Sequence, residues 1–401
     1  MSGEVQLYVT DGDLAPVGDP IAGWTSIVAT PQFNAVGLGT VTVPATPGVL
    51  DQVNADRARL VVILDDEYFM GGPIETNTFD WSAGNSSDGS TSTGVVGGGD
   101  SDTSEPGLLT FSFADDFARI ADENTYPDPA HASTAQADAF YVATAVNAET
   151  LLYDLVNLNV GPGAILARRI PQLVMDSPAG LGTNVNLSAR FDALADDLRT
   201  VAISGGGLGF RTLQVDNQIV FTVYDPTNLA TAVYFSRDLN NLRTVSLTIS
   251  KPTCTVAIVG GDGTGTDRTI VERTNPDAIT RWGRVVQFVN QGDTSDTTVM
   301  AQAGDQALAD GGEQGQVTFT AVDTDLQKYG RDYTLGNVVT CAPYPGLEIT
   351  AIVRAVTLTA SPDTGVVVSP LIGPDSAITD TKTLSVLRGI ERRLGSLETS
   401  Q

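Results

Sequence analysis

Ser188–Pro226 reads SARFDALADDLRTVAISGGGLGFRTLQVDNQIVFTVYDP. Phe191, Leu194, Leu198 and Val201 recur at helical spacing and place an apolar stripe on one face. Ser188 stands where an N-cap hydroxyl would accept from a free backbone N–H of the first turn. Gly205, Gly206 and Gly207 stop the helix, because glycine enters the left-handed region without a Cβ penalty. Two β-rich runs follow, Phe210–Val215 and Gln218–Tyr224, joined by Asp216 and Asn217 alone. A two-residue Asx loop predicts a tight hairpin with Ile219, Phe221 and Val223 on its buried face. The centre of the chain is therefore a helix laid against β structure.

The flanks are patterned mainly for β. Towards the N-terminus, Val5, Leu7 and Val9 alternate with polar residues, and Thr40–Val43 makes a short run. Leu60–Leu64 is continuously apolar, Asp65-Asp66-Glu67 turns the chain, and Tyr68–Met70 returns before Gly71-Gly72-Pro73. Between Ser82 and Gly107 the chain holds Ser, Gly, Thr and Asp with no Lys or Arg. This is an insertion between strands, since Leu108–Phe113 resumes the β pattern; a surface loop and a partner contact both fit it. Further on, Asn147 can cap a helix carrying Leu151, Leu152, Leu155 and Leu158, closed by Gly161-Pro162-Gly163. Strands are predicted at Ala230–Phe235, Val245–Ile249, Thr253–Val259, Val285–Val289, Val317–Ala321, Asn337–Cys341 and Ile349–Leu358. A helical patch around Met300, Ala303 and Leu308 interrupts them.

The expected division is a first β domain over 1–120 that carries the 82–107 insertion, a mixed α/β domain over 121–250 and a second β domain over 251–370. A linker and short amphipathic helix occupy 371–401. In that helix Leu387, Ile390, Leu394 and Leu397 fall at 3-4-3 spacing with Arg388, Glu391, Arg392 and Arg393 outside, a stripe too short to be stable alone. It suits either docking on its own domain or a contact with further copies or a partner.

With 48 acidic against 22 basic residues the 401-residue chain carries a formal charge of −26, which repels nucleic acid. Cys254 and Cys341 fit no metal spacing and read as small buried hydrophobes. No signal peptide and no membrane span is visible, so a soluble protein made in a cytosol is expected. His131 is the only histidine, which removes His-paired metal and acid/base machinery. Ala202-Ile203-Ser204-Gly205-Gly206 loosely resembles a nucleophile elbow, but its order is helix, Ser, strand, the reverse of what an elbow needs. Gly260–Asp267 (GGDGTGTD) lacks the Lys-Ser/Thr of a P-loop and the repeat of a calcium nonapeptide, and reads as a connection between strands. Asp65-Asp66, Asp115-Asp116 and Asp196-Asp197 are adjacent carboxylates, expected as solvated charges that point apart. The residues themselves nominate no catalytic, cofactor or metal site.

Seven stretches nevertheless look familiar together. They are FNAVGLGTVTVPA from Phe33, ARLVVILDDEYFMGGPI from Ala58, LLTFSFADDFARIADENTYPDP from Leu108, GPGAILARRIPQL from Gly161, GLGFRTLQVDNQIVFTVYDP from Gly207, VGGDGTGTDRTIVER from Val259 and KYGRDYTLGNVVT from Lys328. In this order they resemble the tail-hub, or minor tail, proteins of siphophages infecting actinobacteria, over about residues 5–370. The resemblance implies a baseplate-hub-like fold, mainly β, with two tube-like β domains flanking a mixed domain. It implies a structural, non-enzymatic trimer that closes the tail tube at the virion's tail tip, after assembly in the host cytoplasm. Its implied neighbours are the distal tail protein, the tape measure protein and tip or fibre proteins, with host-surface contact also open. Genomic DNA would pass through without specific binding. The chain departs from that pattern in its long 82–107 insertion and in a C-terminus expected to lack room for a lysin domain. Two other readings stay open, a cell-wall-polymer-degrading tail enzyme built on a carboxylate pair and a carbohydrate-binding adhesin.

Overall fold

The computed structural model describes residues 4–80, 107–292, 294–344 and 347–373, so the 82–107 insertion up to residue 106 and the Leu387, Ile390, Leu394 and Leu397 helix lie outside the described residues. Strand outweighs helix by more than two to one. The chain divides into two compact units, one of Met1–Asn241 with Ala321–Ala342 and Glu348–Leu371, the other of Leu242–Thr320 with Pro343–Leu347 and Ile372–Gln401.

In the first unit, β1 (Val5–Thr10), β2 (Ser26–Gln32), β3 (Ala35–Pro44), β4 (Arg59–Leu64), β5 (Glu67–Asp80) and β6 (Leu108–Ala114) join β19 (Leu347–Ser361) and β20 (Gly365–Gly373). Their order across the sheet is β1-β4-β5-β6-β3-β2-β19-β20. Alternation sets the buried face: Val41 and Val43 of β3 are fully buried while Thr40 between its neighbours is exposed. The β4–β5 turn forms as expected, with Asp65 and Asp66 both at positive φ (51° and 65°), the geometry of a two-residue hairpin loop. The Gly71-Gly72-Pro73 stop does not occur, and β5 runs on to Asp80. Glycine is required there because a Cβ on Gly72 would lie 2.3 Å from the Ala114 carbonyl oxygen. At the far end Asp80 pairs with Leu108, so the insertion joins two neighbouring antiparallel strands. A short helix the β reading passed over, α1 (Pro47–Val53), starts on the Thr46 side-chain cap with Pro47 in its first turn.

The mixed core of the same unit gathers α3 (Ala148–Asn159), α4 (Leu194–Ser204) and the hairpin β10 (Gly209–Val215) and β11 (Gln218–Tyr224). Asn147 caps α3 as predicted, accepting from Thr150 N at 3.2 Å. Leu151, Leu152 and Leu155 meet Leu194, Leu198 and Val201 of α4 and Ile219, Phe221 and Val223 of β11 in one buried cluster. Each such side chain contributes roughly 1.5–3 kcal/mol of burial. Asp216, at φ 51°, turns the hairpin in the expected register, Val215 opposite Gln218. β8 (Leu173–Met175) adds a parallel third strand along β11. Ser188 is not a cap. It belongs to β9 (Asn184–Ala189), where it pairs with Val142 of β7 (Tyr141–Asn147), and α4 opens later on Ala193 with Asp196 and Asp197 in its first turn. Those carboxylates offset the positive end of the helix dipole, which replaces the hydroxyl cap. Phe191, at φ 56°, precedes the helix and is partly exposed, so it is not part of the apolar stripe. The tiny α2 (Ala118–Ala121) buries Ile120 in the same cluster. The predicted strand over Ala230–Phe235 shrinks to β12 (Tyr234–Ser236), because Ala232 N and Val233 N both donate to the Leu229 carbonyl in a turn. β12 pairs in parallel with β18 (Val338–Tyr344).

In the second unit, β13 (Leu242–Ser250) lies beside β17 (Gln314–Ala321). A separate sheet places β14 (Val256–Gly260) between antiparallel β15 (Ile270–Thr274) and parallel β16 (Val286–Asn290). The connection from β15 to β16 holds α5 (Pro276–Trp282), capped by Asn275. The helix expected around Met300 is α6 (Thr297–Asp310), capped by Asp296 and packed on β14 and β15 with Met300 fully buried.

Candidate functional site

Two charged residues that the fold buries almost completely, Arg59 and Asp116, lie at the start of β4 and just past β6, in the first unit. Arg59 opens an apolar strand, and its side chain is 2% exposed. Its guanidinium grips the Asp116 carboxylate in two bonds, Nε to Oδ1 at 3.1 Å and Nη2 to Oδ2 at 2.5 Å. Nη1 donates to Thr10 Oγ1 (2.9 Å) and Gln214 Oε1 (3.1 Å), so β1, β4, β10 and the end of β6 meet at one cation. Such a planar fork suits a carboxylate as a lysine amine would not.

Asp115 and Asp116 stand where β6 gives way to a turn and take different partners, the Gly37 N–H for Asp115 and the Arg59 guanidinium for Asp116. Their backbone N–H groups donate to the Gly37 and Gly71 carbonyls, which pins this segment against β3 and β5. The expectation that this pair is solvated is therefore wrong: the chain carries both carboxylates inward past β3 and β5. Burial pushes Asp116 up from the ordinary carboxylate range, and the Arg59 charge and hydrogen bonds oppose it. Burial pushes Asp115 up to about 7, against the Gly37 N–H that donates to Oδ2 at 2.8 Å, with the Asp116 charge adding to the rise. The other oxygen, Oδ1, accepts no hydrogen bond among the described residues, and Asp115 lines a cavity of about 70 Å³ with Phe69, Phe117, Phe210, Arg211 and Tyr329. That volume admits a water or two and no sugar ring, so this carboxylate is not placed to protonate a glycosidic oxygen.

The other sequence-flagged groups are not brought together. Asp65 and Asp66 stand exposed on their turn, and Asp65 Oδ1 accepts from Glu4 N. Asp196 is exposed and pairs with Arg199 at 2.6 Å, while Asp197 is buried and its carboxyl is raised by that burial. His131 Nδ1 sits 2.6 Å from Asp128 Oδ2, and Ser204 is exposed at the end of α4. The Gly260–Asp267 loop joins β14 to β15 as expected, and Arg268 consumes its Gly260 and Gly261 carbonyls, leaving them poor cation ligands. Cys254 and Cys341 are free and buried. Among the described residues no cluster of His, Cys, Asp and Glu could hold a metal ion. No helix of the described residues is long and apolar enough to cross a membrane.

Arg59 was legible only as an odd cation at the head of an apolar run. Glu149 was missed as well. It is 1% exposed, and its carboxylate accepts from Ala179 N (2.9 and 3.0 Å) and Leu181 N (2.6 Å), clamping the loop before β9.

This arrangement is that of a rigid polar keystone, and comparison with known proteins agrees with a structural role. The family described as "Siphovirus ReqiPepy6 Gp37-like protein" matches residues 4–374. The chain belongs to this siphovirus tail protein family. No curated protein matches this tail protein. Among solved structures it is similar to the 43 kDa tail protein of prophage MuSo2 from Shewanella oneidensis, at 11% identity and a TM-score of 0.53, over 92% of this chain and 98% of that one. It is also similar to a tail protein from Neisseria meningitidis MC58, at 14% identity and a TM-score of 0.51, over 94% and 98% of the two chains. At these identities the likeness bears on the fold, which is the mainly β, tail-protein type that the resemblance implied.

Proposed function

We infer that this tail protein is the hub at the tail tip, a trimeric ring that closes the tube and gives the genome its exit. The observation that carries the reading is the tail-family match over residues 4–374, joined to a formal charge of −26. Three copies would surround a channel with carboxylates. At physiological salt their field reaches only about 8 Å, far enough to keep phosphates off a wall and too short to bar the axis of a wide channel. Several of the surface cations are also tied up: Arg57, Arg199, Arg273, Arg284 and Arg331 each hold a carboxylate within 3.1 Å. A phosphate would have to displace those partners, so DNA slides and does not stick. The ring would sit against the distal tail protein and the tape measure, with tip or fibre proteins beyond it; the Leu387, Ile390, Leu394 and Leu397 stripe is the contact we assign to further copies or to such a partner.

The test is the mass of the purified chain by light scattering, followed by class averages of the particle labelled on this protein. A threefold ring with a central hole at the tail tip is expected. Label along the tube or on the capsid, or a ring of another order, would overturn the reading.

A further inference from the structure

We propose that a cleft of about 660 Å³ in the first unit, lined by Tyr68, Phe69, Arg211, Gln214, Lys328 and Tyr329, binds a small anionic sugar through Arg211. The inference stands on Arg211 and does not depend on the trimeric hub.

Arg211 lies in β10 with its guanidinium carbon 5.2 Å from the centre of the Tyr224 ring. Its Nε is buried, and among the described residues that atom has no hydrogen-bond partner and Arg211 forms no ion pair. Arg57, Arg59, Arg199, Arg273, Arg281, Arg284 and Arg331 each hold a carboxylate, whereas the half-buried Arg211 holds none. A planar fork of this kind binds an oxyanion in two parallel bonds. Lys328 supplies a second positive charge to the same cleft. Arg331 also lines it, but Asp332 already occupies that guanidinium, at 2.6 Å.

The walls limit what the anion can be attached to. Tyr329 packs edge-on against Phe69 (5.8 Å) and Tyr333 (5.9 Å), which makes a fixed aromatic wall that loses little freedom on binding. Gln214 and Thr334 add polar groups beside it. A hydroxylated ring fits such a lining, with its apolar face on the aromatic wall and its hydroxyls on the amide and hydroxyl side. The volume lies within the range that holds a small molecule. Asp65 and Glu67 stand exposed in the lining, so an extended polyanion such as DNA meets more repulsion there than a single carboxylate or phosphate set down on Arg211.

The experiment is calorimetric titration of the purified full chain with glucuronate, glucose 6-phosphate, glucose and inorganic phosphate, at one ionic strength held with sodium chloride. Binding of either anionic sugar with none of glucose is expected, and the better of the two identifies the anion as carboxylate or phosphate. Arg211→Gln should weaken it at least tenfold and Lys328→Gln a few-fold, with circular dichroism showing both variants folded. Arg211→Lys, which keeps the charge and loses the fork, should fall between wild type and Arg211→Gln. Should Arg211→Gln fail to fold, the Arg211→Lys and Lys328→Gln titrations decide. The proposal is overturned if no probe binds at 20 mM (roughly the weakest affinity such a site would have). It is equally overturned if glucose binds as well as glucuronate, if phosphate binds and neither sugar does, or if folded variants bind like wild type.

Discussion

Removing Arg59 should cost more than removing its partner, and removing both should cost least. Arg59→Met leaves the Asp116 side chain, which is 0% exposed, as a bare charge beside Asp115. Breaking a buried pair in this way destabilises by about 3–5 kcal/mol, and the neighbouring carboxylate puts this case at the upper end. Asp116→Leu leaves the guanidinium with Thr10 and Gln214 as acceptors, at 2.9 and 3.1 Å, and lies at the lower end of the same range. The double variant Arg59→Met/Asp116→Leu replaces both charges by apolar groups of similar volume. It should recover most of either loss and fall within about 1 kcal/mol of wild type, or above it. Urea denaturation followed by circular dichroism at pH 7 measures all four proteins. A single variant costing under about 1 kcal/mol, or a double variant as unstable as the two losses summed, would refute the keystone argument.

Asp115 gives a pH signature. Its carboxyl titrates near 3.9 unfolded and about 7 folded, so the folded chain holds the extra proton between those values and stability falls as pH rises through that window. Asp115→Asn should remove that slope, gaining about 2–4 kcal/mol at pH 8 relative to pH 4 against wild type; thermal melts across pH 4–8 check it. Gly72→Ala should lose about 1–3 kcal/mol, since its Cβ would meet the backbone of Ala114–Asp116 and no side chain can yield; Gly48→Ala, with open space around the Cβ, is the control in the same melts. Glu149→Gln keeps the shape but halves the acceptors facing Ala179 and Leu181, and should cost about 1–3 kcal/mol in urea while speeding amide exchange in 179–182.

Local patterns were readable because local physics decides them. The α3 cap at Asn147, the glycine stop of α4 and the Asp216-Asn217 turn each involve residues a few positions apart, and each formed as the sequence implied. Ser188 misled for the opposite reason. Its helix-cap chemistry is real, but pairing with Val142, far along the chain, drew it into β9. The Asp115-Asp116 pair carries the same lesson at the site. Two adjacent acids look solvated until Arg59 of another strand grips one of them, with Thr10 and Gln214 of two further strands holding that guanidinium in turn. Nothing at short range reports such a convergence. The idle guanidinium of Arg211 is likewise invisible in the run GFRTLQV, because only the fold shows which carboxylates reach it.

The sheet order of the first unit also fixes a timetable. β2 is covered on one side by its hairpin partner β3, but its other edge waits for β19, where Ala29 pairs with Leu358. A ribosome adding about 5–20 residues per second brings β19 out some tens of seconds after β2. Throughout that interval the nascent chain presents an open strand edge, the feature through which β proteins stick to one another. In an infected cell crowded with copies of the same tail protein, yield would then depend on how fast the last strands arrive and on whether a chaperone shields β2 until they do.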